Sequence, residues 1–334
     1  MLNSPFYLLT LLTIILSTIA ALSRTNWLLV WTSMELNLLS FIPIILSTKI
    51  NQETEGAIKY FLPQALGSAI MLLTSIIIWH PHTHLIPSIL TLSLILKLGA
   101  APCHFWFPQV ISSVSWINCL LLATWQKFAP LFILAYLLKP VSQQLIYFIA
   151  VANALTGGLI GLNQSNLRTL MAYSSITHIA WILSPLCINC PCLTSIYFLL
   201  YCFLTIPIFT TFALNHQSTP NQLINLHPLV LISTSILLLS LAGVPPLTGF
   251  FPKWILIQWL TWKYYAALLI FILLGSFINL YFYLTLIFNI LITPITNSIK
   301  LKSLDYIQPF IISSSLLGLL VIITPYALTI FYKS

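Results

Sequence analysis

The stretch Leu94–Val110 reads LILKLGAAPCHFWFPQV and combines an apolar run, a lysine and helix-breaking residues. It lies inside a longer apolar region, 85–118, and about 20 apolar residues already suffice to cross a bilayer. Proline has no N–H and frees the carbonyl group one turn earlier, so Pro102 predicts a free carbonyl at Leu98. In lipid such a group needs a protein or water partner. The stretch therefore predicts a membrane helix that is broken beside a charge.

A second interruption has the same ingredients. Gly243–Trp254 reads GVPPLTGFFPKW, and Pro246 predicts a free carbonyl at Ala242. Paired broken helices mark the ion path in transporters built from inverted repeats. Lys97 precedes the first break and Lys253 follows the second, as inversion requires. Two ordinary proline kinks are the alternative, but kinks alone do not require a lysine beside each.

The composition requires a lipid-facing surface. Hydrophobic residues make up 59% of the 334, charged residues 5%, and the mean hydropathy is +1.02. Soluble domains carry about 25% charged residues. We therefore predict an all-α, polytopic transmembrane helical bundle of about eleven spans, a single domain over residues 1–334. The paired interruptions add inverted repeats with two broken helices, and the family resemblance given below implies that these repeats are antiporter-like. The expected spans are roughly 4–22, 25–46, 56–79, 85–118 (broken), 120–138, 142–161, 168–187, 190–214, 227–262 (broken), 264–291 and 308–330.

Several other classes of protein are disfavoured. The net charge of +8 is spread over single bases, without the basic run typical of nucleic-acid binding. No nucleotide-binding loop or haem-attachment motif occurs. The CINCPC stretch, Cys187–Cys192, suggests a zinc or redox site, but a structural zinc needs four ligands and no second cluster is evident, so we predict a loop. The alternating histidines of 80–84 favour a solvated turn over a metal site.

The beginning of the chain indicates where the protein is made. Met1–Ala20 is apolar, without a basic flank or a small-residue cleavage site, which predicts a retained span. It also lacks an Arg-rich transit sequence. We therefore expect synthesis inside the organelle whose membrane holds the protein.

One acidic residue lies deep in the apolar spans. Glu35 is about ten residues, or about 15 Å of helix, from either end of its span. A charged carboxylate there costs at least a few kcal/mol unless it is paired or hydrated. It is either a protonated acid that hydrogen-bonds between helices or a proton-carrying carboxylate. Ionisable groups inside membranes are functional by default, so we favour the second interpretation.

Three lysines accompany this carboxylate: Lys97, Lys127 and Lys253. Desolvation disfavours the ammonium form, so a buried lysine can release and take up a proton near neutrality. A nearby carboxylate restores the charge, and a Glu35–Lys97 pair would therefore act as a switch. Snorkelling to the interface is the alternative; it suits Lys263 but not Lys127, which is too far from either end of its span.

Two histidines extend the set of candidates. His104 follows the first break, and His178 follows the hydroxyl-rich stretch Tyr173–Thr177, which we expect to hold a file of water molecules. Histidine titrates near neutrality and suits a proton relay. A histidine hydrogen-bonded between helices is an equally good interpretation.

Six stretches of the chain resemble the subunit 2 family of mitochondrial NADH:ubiquinone oxidoreductase, respiratory complex I. They are spread from the first tenth of the chain to beyond three quarters of it. They are WTSMELNLLSFIP (31–43), EGAIKYFLPQALGSA (55–69), LILKLGAAPCHFWFPQV (94–110), TWQKFAP (124–130), GLNQSNLRTLMAYSSITHIAW (161–181) and LAGVPPLTGFFPKW (241–254). The family is related to cation/proton antiporter subunits, and its animal members lack the first three helices of a longer bacterial form.

The resemblance implies a proton path of a glutamate and three lysines, which map onto Glu35, Lys97, Lys127 and Lys253. It implies no cofactor in this chain, with FMN, iron–sulfur clusters and the quinone site in partner subunits. The implied partners are other membrane-arm subunits and membrane lipid, with cardiolipin a candidate, in the inner mitochondrial membrane.

Three positions depart from the common pattern of that family. Gln109 stands where many members have glutamate, Thr169 where a basic residue often follows the arginine, and Thr285 where arginine is frequent. The four residues of the proton path are untouched.

The function predicted from the sequence is proton translocation coupled to electron transfer from NADH to ubiquinone in other subunits. The chain would be part of an enzyme, a proton-translocating NADH:ubiquinone reductase, without redox chemistry of its own. A self-standing cation/proton antiporter and a scaffold subunit that pumps nothing remain as alternatives.

Overall fold

In the computed structural model the regular secondary structure of the described residues is helical. The described residues are 5–48, 51–77, 86–137, 140–215, 217–220, 222, 228–245 and 247–292, and they contain no strand. Their α-helices are α1 (Pro5–Ser23), α2 (Trp27–Ile45), α3 (Asn51–Ile77), α4 (Ile86–Leu98), α5 (Trp106–Ser113), α6 (Trp116–Ala123), α7 (Trp125–Tyr136), α8 (Pro140–Gly161), α9 (Leu167–Cys187), α10 (Pro191–Leu214), α11 (Pro228–Ala242), α12 (Phe250–Trp262) and α13 (Ala266–Ile292). The expected last span, 308–330, and the histidines of 80–84 lie outside the described residues.

Length and composition make this a polytopic membrane protein. In the described part of the chain, eight helical segments are long and apolar enough to cross a bilayer, with α6 and α7 together forming one of them. Shorter apolar helices, α4 and α11, end at the interruptions. The predicted all-α, multispanning class is confirmed.

The helices group into two compact units, one within residues 1–153 and the other within 154–334. In the first unit α1 packs along α2, α3 lies against α2, α4 and α5, and α7 contacts α1, α4 and α6. In the second unit α9 packs against α10, α12 and α13, and α11 packs against α10, α12 and α13. The apolar span of α9 is 94% buried. Its serines and histidine therefore face protein.

The two interruptions share one backbone design. Gly99 directly follows α4 with φ of 68°, and Gly243 directly follows α11 with φ of 85°. In both, the glycine N–H and the next N–H donate to carbonyls of the last turn, a Schellman ending. The left-handed glycine therefore ends each helix, three residues before each predicted proline. Pro102 breaks no helix, because α4 has already ended, and Pro246 lies outside the described residues.

A third interruption was not predicted. The sequence places one continuous span over 120–138, but the structure begins it at Trp116 and interrupts it at Thr124, between α6 and α7. The Thr124 N–H and hydroxyl both donate to the Leu120 carbonyl, at 3.0 and 2.7 Å. Hydrogen bonding by a threonine to the preceding turn bends helices. No glycine or proline stands at this position to reveal it.

Candidate functional site

Lys97 forms the centre of the site in the first unit. It lies in the last turn of α4 and is only 5% exposed. Gln64 Nε2 on α3 donates to the Lys97 carbonyl oxygen at 3.0 Å, which satisfies a group that the end of α4 leaves free. Gly67, also on α3, permits this close approach, since a Cβ there would stand 3.1 Å from Lys97 Cγ.

A small cavity opens beside the Lys97 side chain. The centre of a water molecule can occupy about 10 Å³ of this cavity, which is enough for roughly one water molecule. The lining is mostly polar, although the spans around it are apolar. Its residues are Met34, Asn37, Leu38, Tyr60, Gln64, Lys97, Gln126 and Pro130.

Glu35 lies in the middle of α2, as predicted, and is half-buried. It interacts electrostatically with Lys97. Both side chains are described, and no ion pair of 4.0 Å or less joins them. Glu35 Oε2 is buried without a hydrogen-bond partner among the described residues. The pair is therefore close enough to interact but is not locked together.

Three polar side chains from three helices meet at the cavity. Asn37 Nδ2 donates to Gln126 Oε1 at 3.1 Å, and Gln126 Nε2 donates back to Asn37 Oδ1 at 3.2 Å. Tyr60 OH also donates to Gln126 Oε1, at 3.4 Å. We call Asn37, Tyr60 and Gln126 the amide cluster. It joins α2, α3 and α7 beside Lys97.

Lys127 directly follows Gln126, a member of the amide cluster, along the chain. It lies in the first turn of α7 and is 2% exposed. Its Nζ stands 4.4 Å from the ring centre of Phe107, a cation–π contact. Phe107 belongs to α5 and packs over Gly99, where a Cβ would approach Phe107 Cβ to 3.0 Å. The first break thus supplies the aromatic face on which Lys127 rests.

Lys253 is tied directly to the second break. It lies in the first turn of α12 and is 5% exposed. Its Nζ donates to the Ala242 carbonyl at 2.7 Å and to the Leu241 carbonyl at 3.3 Å. The carbonyl groups that the end of α11 leaves free are therefore satisfied by the lysine. The expectation that the Ala242 carbonyl needs a partner is met in this way.

Aromatic rings connect the Lys253 and His178 neighbourhoods in the second unit. Lys253 Nζ lies 5.8 Å from the ring centre of Trp181, which stacks on Tyr197 at 6.3 Å. His178 Nδ1 and the Tyr197 hydroxyl are 3.1 Å apart. The Tyr201 ring centre is 5.2 Å from that of His178. His178 thus lies buried in a polar–aromatic group that reaches Lys253.

The hydroxyl groups before His178 are already engaged. Ser174, Ser175 and Thr177 each donate to a carbonyl one turn back on α9. Thr177 also accepts from Asn279 Nδ2. The O–H donors of these three residues therefore serve the helix itself.

His104 lies between α4 and α5, 3% exposed, with its ring centre 4.3 Å from that of Phe105. Among the described residues neither ring nitrogen has a hydrogen-bond partner of good geometry. The structure thus brings Glu35 and Lys97 together in the first unit, places Lys127 in the same unit against Phe107, and places Lys253 with His178 in the second.

Sequence reasoning missed the residues that surround the lysines. Gln64 and the amide cluster carry no motif, although polar amides in apolar spans are themselves a signal of contacts between helices. Asn37 and Gln126 are 89 positions apart, so only folding brings them together.

The cysteine cluster lies between α9 and α10. Cys187 is buried, Cys190 half-buried and Cys192 exposed, and all three are free thiols. Burial raises the pKa of the Cys190 thiol, a shift that Lys263 opposes. Among the described residues no three His, Cys, Asp or Glu side chains are grouped so as to hold a metal ion.

At the three positions that depart from the family pattern the side chains are half-buried or exposed. Gln109 is exposed on α5. The hydroxyls of Thr169 and Thr285 donate to backbone carbonyls one turn back, of Asn166 and Phe282.

Known proteins share this arrangement. The family model described as NADH:quinone oxidoreductase/Mrp antiporter, transmembrane, matches residues 24–279. NADH-ubiquinone oxidoreductase chain 2 of Lumbricus terrestris is 46% identical and covers 91% of each chain. Its counterpart in Oryctolagus cuniculus is 36% identical over 94% of this chain and 96% of its own. A chain of respiratory complex I from Thermus thermophilus, solved with bound aureothin, superimposes with a TM-score of 0.83 at 24% identity, covering 94% of this chain and 78% of its own.

The chain belongs to the NADH:quinone oxidoreductase/Mrp antiporter transmembrane family, and within that family to the NADH-ubiquinone oxidoreductase chain 2 proteins.

Proposed function

We propose that the chain is a membrane-arm subunit of NADH:ubiquinone oxidoreductase that translocates protons, with Glu35, Lys97, Lys127 and Lys253 as its proton-carrying residues. The observation that supports this best is the Glu35–Lys97 interaction beside a polar cavity in an apolar bundle. Because the two side chains are not locked in an ion pair, a small displacement changes how strongly the carboxylate stabilises the ammonium.

The charge on Lys97 would then depend on the distance to Glu35. When Glu35 moves away, burial favours the neutral amine and Lys97 releases its proton. When Glu35 returns, the ammonium form is restored. Lys127 and Lys253 would pass the proton on, with His178 and His104 as relay residues.

The two units would correspond to the inverted repeats of an antiporter fold. The feature that supports this is the glycine ending that both breaks share, at Gly99 and at Gly243.

Electron transfer would occur elsewhere in the assembly. The FMN, iron–sulfur clusters and ubiquinone site would belong to partner subunits, and this chain would contribute no redox step. We place the protein in the inner mitochondrial membrane, synthesised inside the organelle, in contact with other membrane-arm subunits and with lipid, including cardiolipin.

The test compares two lysine substitutions in the assembled complex. Lys97→Met removes the ammonium but keeps most of the buried stem. Lys59→Met is the matched control, because the Lys59 side chain is 46% exposed and forms a 3.6 Å ion pair with Glu55 one turn away, at the exposed surface of α3. We expect Lys97→Met to abolish proton uptake that is coupled to NADH oxidation in reconstituted vesicles, and Lys59→Met to preserve it.

Native electrophoresis provides the necessary measure of assembly. If the chain migrates alone and exchanges cations when reconstituted alone, it is an antiporter. Normal pumping by an assembled Lys97→Met complex would refute the proposed role. Normal proton stoichiometry after neutralising both Lys127 and Lys253 would make the chain a scaffold.

A further inference from the structure

The amide cluster has more hydrogen-bonding capacity than helix packing uses. Asn37 and Gln126 exchange two hydrogen bonds, and Gln126 Oε1 accepts a third from Tyr60. Each amide nitrogen carries a second N–H beyond the one used in this exchange, and the Tyr60 oxygen can also accept. Asn37 and Tyr60 are 4% and 2% exposed, so bulk water does not serve their polar groups, and Gln126 is half-buried.

The residues that carry these additional N–H groups and the Tyr60 oxygen line the cavity beside Lys97. All three members of the cluster line it, together with Lys97 and Gln64. A buried water molecule requires space for roughly one probe sphere and two to four polar partners. The cavity meets both requirements, with a volume of about 10 Å³ for the water centre and five polar side chains in its wall.

The cluster also stands next to the second lysine of the same unit. Gln126 and Lys127 are consecutive residues of the first turn of α7, just after the interruption at Thr124. The Lys127 N–H donates to the Thr124 carbonyl at 3.3 Å, which ties this turn to the interruption. Gln126 therefore lines the cavity beside Lys97 and lies in the same helical turn as Lys127.

We propose that Gln126 is a positioning residue that holds, with Asn37 and Tyr60, a water molecule beside Lys97 through which that lysine gives up and regains its proton. This proposal rests on the proposed function. The water accepts a proton from the Lys97 ammonium, which becomes the neutral amine, and passes another of its protons to an adjoining water molecule or amine of the path, so that it is regenerated. The amides neither gain nor lose a proton; they orient a lone pair of the water oxygen toward Lys97.

The first experiment removes the amide. Gln126→Leu keeps the volume of the side chain but cannot orient a water molecule. Loss of one such hydrogen bond corresponds to about a threefold to tenfold change in rate. We expect the proton uptake rate of the reconstituted complex to fall by that factor and its solvent isotope effect to rise. NADH oxidation with a soluble artificial acceptor should not change.

Gln258→Leu is the matched control, an amide substitution at an exposed position of α12. It should leave both proton uptake and the isotope effect unchanged. Gln126→Glu, which restores hydrogen bonding, should recover part of the lost rate. A role in packing alone would not produce a changed isotope effect or this recovery.

A second variant keeps the test informative if the Gln126→Leu protein fails to fold or assemble. Tyr60→Phe removes only a hydroxyl group and keeps the ring that packs against Phe41 and Trp106, at 5.3 and 5.8 Å. It should assemble and show the same effects in weaker form. Wild-type uptake and isotope effect in both Gln126→Leu and Tyr60→Phe would overturn the inference. The proposed function would survive that result if Lys97→Met still abolishes uptake, and would fall if Lys97→Met pumps normally.

Discussion

Adding one methyl group at the second helix break should displace a lysine. In Gly243→Ala the new Cβ would stand 2.8 Å from Lys253 Nζ and 2.9 Å from its Cδ. Contacts this short force the lysine to move. Its 2.7 Å hydrogen bond to the Ala242 carbonyl is then lost.

Two separate costs add in this variant. The left-handed backbone at Gly243, with φ of 85°, costs any other residue roughly 1–2 kcal/mol. A hydrogen bond from a charged donor contributes about 1.5–3 kcal/mol. We therefore expect Gly243→Ala to lower the free energy of unfolding by roughly 2.5–5 kcal/mol and to reduce proton uptake, because Lys253 no longer holds its position.

A double-mutant cycle separates the two costs. In a Lys253→Ala background the clash disappears, so Gly243→Ala should cost only the backbone contribution, roughly 1–2 kcal/mol. The assay is the melting temperature of the assembled complex for wild type, both single variants and the double variant. Additive shifts would refute the reasoning, and so would a Gly243→Ala complex with the stability and pumping of wild type.

Three smaller predictions concern other residues. Asn153→Leu should destabilise the complex by about 1–3 kcal/mol in thermal unfolding, because Asn153 Oδ1 accepts from the buried Ala101 N–H at 2.7 Å; an unchanged melting temperature would contradict this. Tyr264→Gly should stabilise by up to about 1 kcal/mol in the same assay, since Tyr264 has φ of 60° and is 92% exposed. The raised pKa of Cys190 lowers its thiolate fraction at a given pH, so mass spectrometry after alkylation at pH 8 should show slower labelling of Cys190 than of Cys192.

The sequence predicts the broken helices and the buried charges because both follow from local rules. A glycine–proline stretch beside a lysine is visible within a dozen residues, and a carboxylate in an apolar run needs no partner to be noticed. The prediction that Pro102 causes the first break is wrong, and the reason for this is also local. Gly99 can adopt the left-handed conformation that ends α4 before proline acts.

The amide cluster could not be predicted in this way. Its hydrogen bonds join residues 66 and 89 positions apart, and no periodicity in α2, α3 or α7 indicates which polar side chains meet. The interruption at Thr124 has no glycine or proline to reveal it. The roles of Glu35, Lys97, Lys127 and Lys253, and of the histidines, stay predictions for the experiments above.

The burial of α9 has a consequence for how this chain can vary. Protein surrounds 94% of its apolar span, whereas the corresponding share in α1 is 28%. Along most of α1 one large aliphatic residue can replace another without displacing a packed neighbour in this chain. In α9 nearly every replacement alters a packed neighbour. A saturation mutagenesis library should therefore retain many substitutions in α1 and very few in α9, even where the new residue is equally hydrophobic.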